Sequence, residues 1–444
     1  MSMWVFVGIL VVVYALILTE KIPRVLAALV GAVATMIAGI ALGMFSFEHP
    51  TPPGLVNPLE FIELETIMLI VGMLIIVEVA RESGLFQFIA IQVIKRVGDS
   101  PAKLLTTMCT LIFLFTTIIG NIVSTMIIGS LTMIACDVLE YDPLPYVISE
   151  VFVADAAGMA LVTSSIPSIT IASHPSVDPP IGFGEFAITG LPLATILGLV
   201  LIFVLRRMNR KKLITPSESR VSVIRSQLDA FDAWSVVENI YFFYSSAAVL
   251  TGVIILFVIG RSFGITIGFA ALLGAIAMLF FTRRVEESIG KVRWDTIFFF
   301  IGLFITIGGV EAAGVLDAIA RGLGAVVGAN LPLAIVLMGL IGGLLSGVVD
   351  NIPVALTFIP VAQQLGVNVM GLPNAHPLHW SLLSCALLGG DLLPIGSPST
   401  IIAMDILKKS GIKLTTMEFL KYSGIILPIS LGIALTYVLV VFAL

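Results

Sequence analysis

The chain has 444 residues, of which 58% are hydrophobic and 11% charged, and its mean hydropathy is +1.13. A water-soluble fold of this length cannot hide that much apolar surface, so the composition excludes a soluble enzyme or binding module and makes the lipid bilayer the first partner. The net charge of −5 comes with no basic face for nucleic acid, and the three scattered cysteines Cys109, Cys136 and Cys385 read as small core residues, neither a disulfide frame nor a metal site.

Apolar stretches follow one another along the chain: Trp4 to Leu18, Val25 to Leu42, Thr66 to Val77, Ala187 to Leu205, Ile240 to Ile259, Ile265 to Phe281, Thr296 to Val310 and Ile425 to Leu444. Many approach the roughly 20 residues that cross a bilayer core. The first lacks a charged leader and a small-residue cleavage site, which reads as a first span and not a signal peptide.

The two halves repeat one another. Glu65-Thr66-Ile67 returns as Asp295-Thr296-Ile297, Gly72 as Gly302, Gly84 as Gly314 and Asn121-Ile122 as Asn351-Ile352, all at an offset of 230. Gly158, Pro167-Ser168 and Ile171-Ala172 return at 231 as Gly389, Pro398-Ser399 and Ile402-Ala403, and Glu185-Phe186 at 233 as Glu418-Phe419. Paired repeats interrupted by Gly and Pro at matching positions point to a transporter with its site between the halves.

Charge gives the expected orientation. Arg206, Arg207, Arg210, Lys211, Lys212, Arg220 and Arg225 crowd a linker at 206–234, expected to be cytoplasmic. Alternation then puts 21 of the 23 Lys and Arg on that side, leaving Arg261 and Arg321 opposite. The loops Ser46 to Glu63, His174 to Gly184 and Gly366 to His379 have no Lys or Arg and are expected to be external, with His49, His174, His376 and His379 solvated. The split holds only if 101–138 and 330–366 enter and leave on one side, as re-entrant hairpins tipped by Gly120-Asn121 and Asp350-Asn351-Ile352-Pro353. The expected fold is therefore an all-α polytopic membrane protein of two inverted repeats, 1–205 and 235–444, each with five spans and one hairpin and with both termini external.

A second interruption follows in each half. The helix at 145–173 is broken at Ser164-Ser165-Ile166-Pro167-Ser168 and that at 380–407 at Pro394-Ile395-Gly396-Ser397-Pro398-Ser399, where Pro removes a donor and Ser and Gly let the chain unwind. Four interruptions meeting near the midplane would offer half-helix dipoles to an anion and carbonyl, Ser and Asn oxygens to a cation such as sodium. Three carboxylates stand near them, although a charge inside a membrane costs roughly 2.5 to 3.5 kcal/mol. They are Asp155, Asp350 and Asp391, whose counterparts in the other half are Ala386, Gly120 and Ala160. Asp350 can also cap the helix that follows it. Asp155 lacks that explanation and, with Asp391, is a candidate proton carrier. Glu78 reads as an interfacial ion pair with Arg81.

Gly120-Asn121, Val349-Asp350-Asn351-Ile352-Pro353, Gly389-Gly390-Asp391-Leu392-Leu393-Pro394-Ile395-Gly396-Ser397-Pro398 and Trp294-Asp295-Thr296-Ile297 resemble the ion transporter superfamily. Within it they are similar to the group of arsenite efflux pumps, NhaD-type sodium/proton antiporters and the P protein, itself related to divalent anion/sodium symporters. The resemblance implies a multi-pass protein of a prokaryotic plasma membrane and a midplane site on Asn121, Ser124, Thr125, Ser165, Ser168, Asn351, Ser397 and Ser399, to which the interruptions add Ser164 and Asp350. A sodium ion would lie at Asn121, Ser165, Asn351 and Ser397, and a homodimer would form on the outer helices. Many relatives carry Asn where this chain has Asp391, and they usually show Asn with paired Gly and Thr where it has Asp155 to Met159 and an Asn where it has Ser168 and Ser399. The added negative charge favours a cation or proton over an anion.

The leading expectation is a sodium/proton antiporter working by alternating access. Proton-coupled efflux of arsenite or another oxyacid comes second, and a sodium-coupled carboxylate importer third, since no Lys or Arg stands in the interruptions. Tyr141-Asp142 with Gly389-Gly390-Asp391 also resembles the paired aspartates of intramembrane proteases, but Leu388 replaces a required Gly. No phosphate-binding glycine loop is present, so neither ATP nor another cofactor is expected.

Overall fold

A computed structural model describes residues 2–19, 22–48, 51–97, 100–213, 233–282, 285–394, 396–412 and 414–443. Most of the basic linker, His49 and Ile395 lie outside the described residues. Within them every regular element is helical, apart from one isolated bridge between Phe45 and Val56. Among the described residues eight helices are long and apolar enough to cross a membrane. This is the architecture that lipid demands, because a helix satisfies its backbone groups within itself.

The longer helices come in the same order in each half. The first half has α1 (Ser2–Thr19), α2 (Arg24–Ala41), α3 (Leu64–Glu82), α4 (Leu85–Val97), α5 (Pro101–Ile119), α6 (Asn121–Leu139), α7 (Leu144–Ala157), α8 (Ile166–Ser173) and α9 (Leu191–Met208). The second has α10 (Ile240–Ile259), α11 (Ile267–Phe281), α12 (Trp294–Ala312), α13 (Val315–Val327), α14 (Leu331–Val349), α15 (Asn351–Gln363), α16 (His376–Gly389), α17 (Pro398–Lys409) and α18 (Thr416–Phe442).

Packing between the halves is reciprocal. α2 lies along α12 and α11 along α3, while α6 packs on α17 and α15 on α8. The repeated glycines Gly72 and Gly302 sit at the first two crossings. A Cβ on Gly72 would come within 2.6 Å of the Ala271 carbonyl carbon, and one on Gly302 within 2.6 Å of that of Ala28. These helix pairs touch backbone to backbone, the close approach that small residues permit in lipid.

The interruptions begin earlier than the prolines suggest. α7 ends at Ala157 and α16 at Gly389, and Pro167 and Pro398 occupy the first turns of α8 and α17. The physical reason is that the first helical turn needs no amide donor, so Pro there starts a helix instead of breaking one. Ser165 and Ser397 cap these restarts, accepting from the Ser168 and Thr400 amides at 3.2 Å each. Every residue of α7, and all of α16 except His376, is buried. The broken helices therefore run through the centre of the molecule.

Two of the histidines expected in solvent are not there. His379 is fully buried in α16 with Nε2 3.3 Å from the Ile359 carbonyl oxygen, and His174 is buried at the end of α8 against Glu63. The broken helices start and end inside the protein, so residues that sequence assigns to loops are covered by neighbouring helices. The cysteines are free and buried, as their surroundings suggest, and Arg81 pairs with Glu78.

Candidate functional site

The site is assembled around Asp155, in the last turn of α7. Asn121, the first residue of α6, donates from Nδ2 to Asp155 Oδ1 at 2.9 Å, and Ser397, the cap of α17, donates from Oγ to Oδ2 at 2.5 Å. One carboxyl thus joins a hairpin tip of the first half to a helix restart of the second. Asp391 and Ser399 also approach this carboxyl. Neither Asp391 oxygen nor the Ser399 hydroxyl finds a hydrogen-bond partner among the described residues, although both side chains are fully buried.

The symmetry of the halves explains part of this. Asn351 is the counterpart of Asn121, but the residue equivalent to Asp155 is Ala386. The Asn351 amide is accordingly buried with both its nitrogen and its oxygen unpartnered. Buried polar groups of this kind cost free energy unless something completes their hydrogen bonds. The orphaned set of Ser124, Asn351, Asp391 and Ser399 is therefore rich in oxygen donors for a hard cation or in partners for a small polar solute.

The other expected residues divide. Ser165 Oγ donates to Ser168 Oγ at 3.0 Å, and Ser168 Oγ to the Gly158 carbonyl at 2.7 Å, so this pair closes the interruption in α7–α8. Ser164 donates to the Thr117 carbonyl at 3.1 Å, tying the interruption to α5. Thr125 bonds back to the Asn121 carbonyl at 2.8 Å within α6. These residues shape the site with hydrogen bonds already spent.

Asp350 combines two roles. Its Oδ1 caps α15 by accepting from the Ile352 amide at 3.1 Å, and its Oδ2 lies 2.6 Å from Arg24 Nη1. The residue has φ +131°, while its counterpart Gly120 has φ +86° and no Cβ to strain. A non-glycine side chain in that region is the kind of strain that persists at functional positions. Arg24 corrects the expectation that no basic side chain stands at the interruptions: it reaches the second tip from α2, 326 residues away in sequence. Nothing in the local sequence marks it, because Lys21 and Arg24 read as an ordinary basic loop.

Two adjoining cavities lead to this region. One of about 290 Å3 is lined by Gly120, Asn121 and Ser165 and also by Arg81, Lys291 and Arg293. The other, of about 370 Å3, is lined by Arg24, Asp350, Arg293, Asp295 and Pro398. A third, of about 800 Å3, bordered by Glu65, Ser173, Phe257 and Thr266, touches none of the expected site residues. The tips are thus approached from the side that carries Arg24, Arg81 and Arg293.

The protease alternative finds no geometry. Asp142 lies before α7, accepting from the Leu144 amide at 3.1 Å, at the opposite end of that helix from Asp155 and its neighbour Asp391. The structure adds one buried carboxyl to those expected from sequence. Glu150 is five residues before Asp155 on α7 and 1% exposed; its Oε1 accepts from Thr132 Oγ1 at 2.5 Å and its Oε2 has no partner. Its signal was present in the sequence: an acid inside the same apolar run that carries Asp155.

The chain matches a transporter family model and membrane-protein relatives over most of its length. The family model described as citrate transporter (CitMHS) matches residues 14–385. An uncharacterized transporter of Mycobacterium tuberculosis (strain ATCC 25618 / H37Rv) is 28% identical over 435 residues, which cover 98% of this chain and 97% of the relative. The 46 kDa membrane protein of Mycobacterium leprae is 28% identical over 437 residues, 97% of each chain. The P protein of Homo sapiens is 24% identical over 503 residues, covering 98% of this chain and 59% of that protein. With a transporter family model matched over most of its length and helices built for lipid, the chain belongs to the citrate transporter family of the ion transporter superfamily.

Proposed function

We propose that this secondary transporter exchanges a cation, sodium first, for protons by alternating access, with Asp155 and Asp391 sharing the exchangeable charge. The observation that carries the reading is the pair itself: two fully buried carboxyls side by side, with no basic residue against either among the described hydrogen bonds and ion pairs. Two adjacent like charges in a low-dielectric interior cannot both stay ionised without a counter-charge. A proton or a metal cation supplies it, and the two are then mutually exclusive occupants. The orphaned Ser399 beside Asp155 adds a neutral oxygen to the carboxylates. The reading includes inverted repeats with the basic segments cytoplasmic, so the cavities at Arg24 and Arg293 open inward. The test is sodium-dependent proton flux in proteoliposomes. Loss of flux in Asp155→Asn and Asp391→Asn supports the reading, and native flux and pH dependence in both variants sink it.

A second reading is favoured by Arg24 and by the family's description. Arg24 and Arg293 line one cavity whose 370 Å3 would admit a small carboxylate, and cation-coupled carboxylate uptake would use them as the anion's partners. Citrate-dependent uptake that Arg24→Gln abolishes would favour this reading over exchange. Arsenite or other oxyacid efflux has no comparable observation behind it.

A further inference from the structure

Glu150 has no part in the site as built, yet its placement calls for a role. It is buried from every side, with the thiols of Cys109 on α5 and Cys136 on α6 as its titratable neighbours. No ion pair neutralises it among the described residues. An isolated carboxylate in such surroundings costs far more than one whose charge a proton offsets. A structural role alone would be served as well by Gln, which can accept the same Thr132 hydrogen bond and carries no charge to bury.

What lies along α6 gives that proton a route. Asn121, Thr125, Gly129, Thr132 and Cys136 recur at helical spacing on one buried face of α6, which packs on α7. The face begins at the Asp155 carboxyl, through Asn121, and passes Glu150 at Thr132. A Cβ on Gly129 would stand 3.9 Å from Glu150 Oε2, so the unpartnered oxygen faces the one position on this face without a side chain. Ser124, close to the same face, has a buried hydroxyl with no partner. The face ends at Cys136, which lines a cavity of about 510 Å3 together with Asp137, Glu140, Tyr141 and Ser410. Glu150 therefore sits between the carboxyl pair and that cavity, about 7.5 Å along α7 from Asp155 at 1.5 Å per residue.

We infer that Glu150 is a proton-transfer residue linking the Asp155 and Asp391 pair to the cavity at Asp137 and Glu140. The inference rests on the exchange reading and names the side from which its proton leaves. The balance is simple: the Glu150 acid gives its proton to water in that cavity, and the resulting carboxylate takes one from the carboxyl pair as the cation binds there. The acidic Asp137 and Glu140 around the cavity suit acceptance of protons better than capture of an anion.

Glu150→Gln keeps the hydrogen bond with Thr132 and removes only the exchangeable proton. In proteoliposomes this variant should slow cation-driven proton release by about 100-fold, the scale of losing a positioned proton-transfer group. Cation binding, read by sodium-dependent thermal stabilisation, should stay as in the native protein. Glu150→Asp should recover part of the rate with a displaced pH profile, which a packing role would not produce. Infrared spectra of the purified protein should contain a protonated-carboxyl band that Glu150→Gln removes. Native proton flux with unchanged rate and pH profile in Glu150→Gln overturns the relay, as does an infrared spectrum that the substitution leaves intact. A native protein that moves no protons overturns instead the exchange reading beneath it.

Discussion

Arg24 Nη1 stands 2.6 Å from Asp350 Oδ2, joining the start of the second helix to the tip of the second hairpin. Asp350 is 3% exposed at its side chain and Arg24 26%, so removing the cation strands a buried charge. Arg24→Gln should destabilise the protein by about 1–3 kcal/mol, less than a fully buried pair because solvent reaches the guanidinium. In a double-mutant cycle with Asp350→Asn, thermal unfolding in detergent should show coupling of about 1 kcal/mol or more. Additive effects would mean that the pair contributes nothing.

Asp155 and Asp391 should respond differently to amidation. Asp155 accepts from both Asn121 and Ser397, and an Asn there must turn an NH2 towards one of these donors. Asp155→Asn should therefore cost about 1–3 kcal/mol of stability. Asp391, whose oxygens accept from no donor among the described residues, loses no such bond and as Asn can donate to the adjacent Asp155, so Asp391→Asn should leave stability unchanged or raised. Melting temperatures that fall equally in the two variants would contradict the geometry.

Gly72 and Gly302 hold equivalent crossings, and each leaves no room for a methyl group. Gly72→Ala and Gly302→Ala should each destabilise by about 1–3 kcal/mol, the cost of overpacking. Gly252 meets nothing within 4 Å of an added Cβ, and Gly252→Ala serves as the control that should be neutral or stabilising. Equal unfolding curves for all three would remove the claim that the crossings are in backbone contact.

The buried pair at the opposite end of α8 sets a pH dependence. His174 Nε2 is 3.2 Å from Glu63 Oε1. Desolvation raises Glu63 from 4.5 to about 8, opposed by the Thr66 hydrogen bond and aided by Glu311, and lowers His174 from 6.5 to about 3. Between pH 4.5 and 8 the folded state holds a Glu63 proton that the unfolded chain has lost, so stability falls as pH rises. Between pH 3 and 6.5 the unfolded chain holds a His174 proton that the folded state refuses, so stability rises with pH. The contributions of these two groups cancel from 4.5 to 6.5, and between them they lose stability on either side. Glu63→Gln should make the loss between pH 6.5 and 8 shallower in thermal unfolding scans; a slope unchanged from the native protein would assign the loss elsewhere.

Helix identity, the paired tips at Gly120 and Asp350 and the paired restarts at Ser165 and Ser397 were all legible in sequence, because periodicity, Gly, Pro and capping residues act locally. Asp155 was legible as an acid without a local excuse. Arg24 was not, because its significance lies in a contact across 326 residues that no local pattern encodes. His174 and His379 were misplaced for the same reason: burial of a helix end depends on what packs over it. Glu150 is legible as a second acid within the apolar run that carries Asp155, and only its burial and its unpartnered oxygen distinguish it from a solvated charge. The unpaired amide of Asn351 follows from Ala386 standing where the first half has Asp155, a difference that only the symmetry of the halves makes readable.

The reciprocal packing of α2 on α12 and of α11 on α3 constrains how the chain is made. Ala28 meets its partner Gly302 only after more than half of the protein has emerged from the ribosome. Until then the inner face of α2 must wait in the bilayer, covered by lipid or by the insertion machinery. Native pairing of the amino-terminal helices thus belongs to the end of synthesis, and a chain truncated before α12 would leave them without their mates.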